Sequence, residues 1–149
     1  MKTCKRIGAL LLALILTCSL SVTAFASLED TGFSDVDADD WFAESAVYVW
    51  DNGVMNGTSD TTFNPNGTTS RGQIAAILYR AAGSPAVSGA ADFPAVTAGA
   101  YYADAASWAA ANGIVTGYSD GTFGPGDPIT RQQLAAILWR YAGSPAAES

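Results

Sequence analysis

Apolar residues change rhythm along this chain, and each rhythm predicts a different element. Ile7 to Leu16 is a continuous apolar run interrupted only by Gly8. Further on the spacing becomes helical. Phe42, Ala46, Val49 and Trp50 recur at i, i+4, i+7 and i+8, which places them on one helix face. That predicted helix begins near Trp41, with Asp39 or Asp40 as N-cap, and ends at Asn52-Gly53, where glycine suits the position after a last turn. A second helix is announced by Ser70-Arg71-Gly72-Gln73, a capping box in which the hydroxyl takes the N3 amide proton and the glutamine reaches back to the N-cap amide. Ile74, Ile77, Leu78 and Ala81 line one face behind it; Gly83 stops it and Pro85 prevents its return.

The same pattern then repeats. Residues 93–145 overlie 33–85 at a constant offset of 60, without a gap, and 24 of the 53 positions are identical. Such self-similarity is the mark of a repeat architecture. The second copy has a helix from about Tyr101 to Asn112, richer in alanine and so suited to closer packing, then a capping box Thr130-Arg131-Gln132-Gln133. Behind that box Leu134, Ile137, Leu138 and Tyr141 share a face. The loops match as well. Ser59-Asp60-Thr61-Thr62-Phe63-Asn64-Pro65 meets Ser119-Asp120-Gly121-Thr122-Phe123-Gly124-Pro125, so Phe63 and Phe123 are expected to plug into the core. Short extended stretches fit around Val54–Gly57 and Ile114–Gly117, but no sheet is expected.

The early apolar run is too short to span a bilayer, which takes about 20 residues. With Lys2, Lys5 and Arg6 before it and Ala24-Phe25-Ala26 after it, it reads as an export signal cleaved after Ala26. The rival is a lipoprotein signal using Cys18, with Thr17 an unfavourable neighbour for lipidation. The organisation expected is therefore a signal peptide at 1–26, repeats at 27–85 and 92–149, and a small-residue linker at 86–91.

Cleavage changes the chemistry. Cys4 and Cys18 leave with the signal, so no disulfide or Cys metal site remains. What stays carries four arginines (Arg71, Arg80, Arg131, Arg140) against 14 acids, with no lysine and no histidine. That balance argues against nucleic acid, which needs basic patches, and against an anionic membrane surface. It also removes Ser-His and Cys-His nucleophiles and Schiff-base chemistry. A carboxylate-pair glycosidase is the enzyme class left, and nothing in the pattern indicates a deep cleft for one.

Two of the four cations stand where the backbone opposes them. Arg71 and Arg131 open their helices, where the dipole end is positive and a cation is unfavourable by about 0.3–1 kcal/mol. Arg80 and Arg140 sit in last turns, where a cation is welcome. Helix-start amides joined to a guanidinium fork would suit a carboxylate or phosphate; pairing with a nearby acid is the structural alternative. Trp41 and Tyr101 open the first helices at matched positions, and their rings could stack on sugar faces or fill core.

These residues resemble the S-layer homology repeat. The pattern runs Phe33-x-Asp35-Val36, Trp41-Phe42, Gly53-x-x-x-Gly57-x-x-Asp60-x-x-Phe63-x-Pro65 and Ser70-Arg71-x-Gln73, and copy two follows it from Gly113 to Gln133. The resemblance covers nearly all of the chain after the signal. It implies a mainly α fold of tandem helix-loop-helix repeats packing as part of a helical bundle. It also implies non-covalent anchoring to a secondary cell-wall polysaccharide, typically pyruvylated, on the bacterial cell surface, with no cofactor. In the family a Thr-Arg-Ala-Glu-like motif lines the groove between repeats and its arginine meets the acidic ketal. Carried over, this gives glycan-binding roles to Arg71, Arg131, Ser70, Thr130, Gln73 and Gln133, with Trp41, Tyr101 and Asp35 beside them.

This sequence departs from the family at three points. Gln73 and Gln133 replace the motif's acid, Asp35 has Ala95 as its counterpart, and there are two copies where three are usual. The last departure leads to the expectation that the chain associates with itself or with another repeat-bearing chain. Two other readings keep the fold without the glycan. One is an envelope protein that binds protein. The other is a calcium-stabilised module using Asp35-x-Asp37-x-Asp39-Asp40, although Ala46 stands where an EF-hand loop needs its closing Glu.

Overall fold

Both predicted capping boxes form. In the computed structural model, which describes residues 26–89, 93, 94 and 96–146, the Ser70 amide donates to Gln73 Oε1 at 2.8 Å and the Gln73 amide donates to Ser70 Oγ at 3.3 Å. Thr130 and Gln133 repeat the exchange at 2.9 and 3.3 Å. These boxes open the two long helices, α3 (Arg71–Ala81) and α5 (Arg131–Tyr141). The expected signal peptide, apart from Ala26, lies outside the described residues, as do the last two residues of the expected linker and Ala95.

The helices that open each repeat are α2 (Ala43–Asp51) and α4 (Ala103–Ala111), preceded by a single turn, α1 (Leu28–Thr31). Both start two residues later than the apolar spacing predicts. Trp41-Phe42 and Tyr101-Tyr102 form turns, closed by the Ala43 amide on the Asp40 carbonyl (3.0 Å) and the Ala103 amide on the Ala100 carbonyl (2.9 Å). Asp40 consequently caps the turn before α2 rather than the helix itself, its carboxylate accepting from the Asp37 amide at 2.9 Å. The fold is mainly α, as expected. Among the described residues the only β pairings are two isolated bridges, Ser59 with Thr62 and Ser70 with Pro128.

The core does not respect the repeat boundary. Helix α3, the end of the first repeat, lies against α4, the start of the second. Ala75, Ala76 and Leu78 of α3, Ala105, Ala106 and Ala109 of α4, Ile114, Val115 and Phe123 of the second loop, and Ile137 of α5 form one buried cluster. Alanine on both helices lets the backbones approach closely, as the sequence of α4 suggested. A smaller cluster of Phe33, Val36 and Ala43 holds the first repeat together, with Leu28, Phe42, Trp50 and Phe63 packed around it.

Each loop is anchored by its phenylalanine. Phe123 is fully buried and stacks on Phe93 at 5.4 Å between ring centres; Phe63 meets Phe33 at the same distance but stays partly exposed. Gly57 and Gly117 make room for these rings, since a Cβ at either would run into the Thr62 or Thr122 carbonyl and the Phe33 or Phe93 ring.

Asp35 does a job in the first loop that Ala95 cannot do in the second. Its two carboxylate oxygens accept from the Phe63 amide (2.8 Å) and the Asn64 amide (2.7 Å). The Phe63 bond, with Asn64 adding to it, holds the Asp35 carboxyl below the ordinary carboxylate value. A depressed folded-state value means stability that is present above the unfolded value and is lost as pH falls through the folded one. Melting temperature should therefore fall on acidification below about pH 4. Asp35→Asn should flatten that limb, because an amide takes up no proton in this range, and should lower stability at neutral pH, because its one oxygen replaces the two acceptors of the carboxylate. Thermal melts across an acid series check this; an unchanged slope in the variant would show that other carboxylates carry it.

Candidate functional site

The junction between repeats is built around Arg71. Its helix begins against the second loop, so the amides that a free helix start would offer are already taken: Arg71 N–H donates to the Asp127 carbonyl and Gly72 N–H to the Pro125 carbonyl, both at 2.9 Å. Gly72 permits that contact, since a Cβ there would stand 2.9 Å from the Pro125 oxygen and 3.3 Å from the Tyr102 ring. The sequence suggested free amides at this helix start; the loop of the following repeat occupies them.

The guanidinium of Arg71 is buried, with 6% of the residue exposed. Nε donates to the Phe123 carbonyl at 2.8 Å and Nη2 to the Thr116 carbonyl at 3.1 Å. The plane lies 4.6 Å over the Tyr118 ring and 5.3 Å from that of Phe123. Carbonyls and rings, not carboxylates, hold this charge. No arginine forms an ion pair among the described residues.

Arg71 stands at the edge of a cleft of about 380 Å³ between the repeats. The second loop supplies Val115 to Tyr118, and α5 supplies Gln132, Gln133, Ala136, Ile137 and Arg140. Two cations therefore line one cavity whose wall contains no acid, in a chain with a formal net charge of −7. Two local cations favour an anionic ligand at short range, against the repulsion of the chain's net negative charge. Thr116, Gln132 and Gln133 are the other polar residues of its wall, and Tyr118 is its aromatic one.

A second cleft, of about 420 Å³, repeats this one at the first loop. Met55, Gly57, Thr58, Gln73, Ala76, Ile77 and Arg80 stand where the junction cleft has Val115, Gly117, Tyr118, Gln133, Ala136, Ile137 and Arg140. It differs in two ways. No arginine equivalent to Arg71 enters it, and Pro65, Gly67, Thr68 and Thr69 line it, whereas in the second loop Pro125 and Asp127 meet the start of α3 and Pro128 and Ile129 pair with Ser70 and Thr69 just before it.

The other residues singled out in the sequence are scattered around these clefts. Gln73 and Tyr101 line the first and Gln133 the junction cleft; Ser70 and Thr130 serve as caps behind them. Arg131 is exposed on α5. Trp41 is 93% exposed, set edge-on to Phe42, and lines none of these cavities. Asp35 faces loop amides rather than a cleft. Sequence reasoning missed Tyr118 and Arg140. Arg140 was explained by its helix end, yet Gln133, Ile137 and Arg140 at i, i+4 and i+7 share a helix face, which was the available signal.

Comparison with known proteins bears on this geometry. The sequence profile described as the S-layer homology domain matches residues 32–75 and 95–135. An endoglucanase of Bacillus sp. (strain KSM-635) is 35% identical over 115 residues, covering 72% of this chain and 11% of that enzyme. A surface-layer 125 kDa protein of Lysinibacillus sphaericus is 35% identical over 117 residues, 74% of this chain and 10% of its own. An amylopullulanase of Thermoanaerobacterium thermosulfurigenes is 30% identical over 118 residues, 78% and 6% respectively. This chain thus spans only 6–11% of the length of the relatives it matches.

Proposed function

Since the chain belongs to the S-layer homology domain family, we propose that it is a non-catalytic anchoring module that grips an anionic, pyruvylated secondary polymer of the bacterial cell wall. The observation that carries this reading is the junction cleft, where Arg71 and Arg140 line a cavity free of acids. A ketal carboxylate suits it, because a guanidinium and an anion make charge-assisted hydrogen bonds worth about 1.5–3 kcal/mol each. In this reading Thr116 and Gln133, which line the cleft, meet sugar hydroxyls, and Tyr118 lies against a ring face. Residues 1–26 act as the export signal, 27–85 and 92–149 as the repeats and 86–91 as the linker, and the destination is the cell surface.

The two relatives named as enzymes share with this chain a stretch that is about a tenth or less of their length. That is what a common attachment unit carried by different cargoes would give, and it supports a role without catalysis.

Co-sedimentation with purified wall sacculi tests the reading. The chain should pellet with native sacculi and stay in solution with sacculi stripped of their secondary polymer. Arg140→Gln should weaken binding about tenfold, the loss of one charge-assisted contact, while leaving the melting temperature within a degree or two, since Arg140 holds no other partner among the described residues. Equal pelleting with stripped walls would remove the polymer from the proposal.

A further inference from the structure

The first cleft lacks what a second molecule of the same chain can supply. The internal junction serves as its template. Within one chain, α3 covers α4: Leu78 is 7% exposed, Ala75 is fully buried, and Tyr79 packs against Trp108 at 5.6 Å between ring centres. Sixty residues on, the same positions of α5 are bare. Leu138 is 45% exposed, Ala135 is exposed and more than half of Trp139 is open. The complementary face is bare too. Ala105 and Ala109 of α4 are fully covered, whereas their counterparts on α2, Ser45 and Val49, are exposed and partly exposed, and Tyr48, the match for Trp108, is mostly exposed.

The polar half of the junction shows the same vacancy on both sides. The amides of Arg71 and Gly72 meet the Asp127 and Pro125 carbonyls, while the amides of Arg131 and Gln132 have no partner among the described residues. Gly67 and Pro65, which match Asp127 and Pro125, line the open first cleft.

From this the geometry points to a head-to-tail contact in which α5 of one molecule docks on α2 and the first loop of a second copy, delivering Arg131 into the cleft at Met55–Thr58. By the template, Arg131 donates there to the carbonyls of Asn56 and Phe63, as Arg71 does to Thr116 and Phe123, and Trp139 stacks on Tyr48. The completed cleft holds Arg131 and Arg80 as the junction cleft holds Arg71 and Arg140. Its use for polymer rests on the reading above; the docking does not. One position departs from the template: a Cβ at Gly72 would stand 2.9 Å from the Pro125 backbone oxygen, closer than a Cβ tolerates, so with Gln132 at the matching position the partner's loop backbone must sit farther out than the second loop does on α3. The contact is heterologous, so its two faces differ and association need not stop at two.

Sedimentation velocity of the purified exported chain, without polymer, tests this. The average mass should rise with concentration. Arg131→Ala, at an exposed position that cannot unfold the chain, and Tyr48→Ala should each weaken association about tenfold, and Gln132→Gly should tighten it about threefold. A single-chain mass up to about 1 mM, or association indifferent to all three substitutions, overturns the proposal. Wall binding by a strictly monomeric chain would sink the docking and keep the junction cleft. Association without wall binding would do the reverse.

Discussion

Replacing Arg71 with alanine is expected to cost both fold and function, while the same change at Arg131, its twin in the repeat, costs neither within a single chain. Arg71 is the interior tie between the repeats. Its guanidinium bonds two carbonyls of the second loop and lies on two rings. Charged hydrogen bonds contribute about 1.5–3 kcal/mol each and a ring contact about 0.5–2, and neither set adds fully. A net loss of about 2–4 kcal/mol follows, with the Phe123 carbonyl left buried without a donor. Against a total stability of about 5–15 kcal/mol that is a large fraction, and the melt should shift accordingly. Arg131→Ala should stay within about 0.5 kcal/mol, because Arg131 is exposed at the start of α5.

Polymer binding separates these effects further. Arg71→Ala, assayed well below its melting temperature, should lose binding by more than tenfold, since it removes one of the cleft's two cations. Arg71→Lys keeps the charge but not the fork, so it cannot hold both carbonyls and the stack together. It should recover part of the binding and little of the stability. Wild-type wall binding by a folded Arg71→Ala chain would rule out the junction cleft as the binding site.

That asymmetry marks the limit of what the sequence could say. Signals confined to a few neighbouring residues read well: the capping boxes at Ser70 and Thr130 form as their spacing requires, and the loop phenylalanines turn inward. The constant offset of 60 made two equivalent sites the natural expectation. Equivalence in sequence, however, says nothing of what lies on either side. Arg71 is buried because the second loop packs on it, and among the described residues no loop packs on Arg131 in the same way. The choice of packing partner was also hidden. Leucine and isoleucine define an evident stripe on α3, yet Ala75 and Ala76 are as buried as Leu78 in the cluster shared with α4, and alanine contributes little to an apolar rhythm. The late starts of α2 and α4 have a similar cause. Apolar periodicity runs through Trp41-Phe42 and Tyr101-Tyr102 without registering that these residues close a turn. Arg140 escaped attention because a favourable helix end already explained it.

The second large effect is expected at Phe123. Truncation to alanine should cost about 3–5 kcal/mol, the range for deleting a buried aromatic ring and leaving its cavity. The ring is fully enclosed, stacked on Phe93, and belongs to the cluster that joins α3, α4, α5 and the second loop. Its counterpart Phe63 is partly exposed and belongs to the smaller cluster, so Phe63→Ala should cost less, about 1–2 kcal/mol. Urea unfolding of both variants checks the order, and equal losses would mean that the two clusters bear equal shares of stability. The difference matters for the site because of where Phe123 sits in the backbone. Its carbonyl is the acceptor for Arg71 Nε, and its ring lies beside the same guanidinium. Emptying the ring's place frees the loop that holds the arginine in position, so Phe123→Ala should weaken wall binding even while folded. Phe63→Ala leaves the Arg71 contacts intact and should bind as the wild type does. A chain whose binding follows Phe123 but not Phe63 uses the junction cleft, and its core and its grip on an anion depend on the same loop.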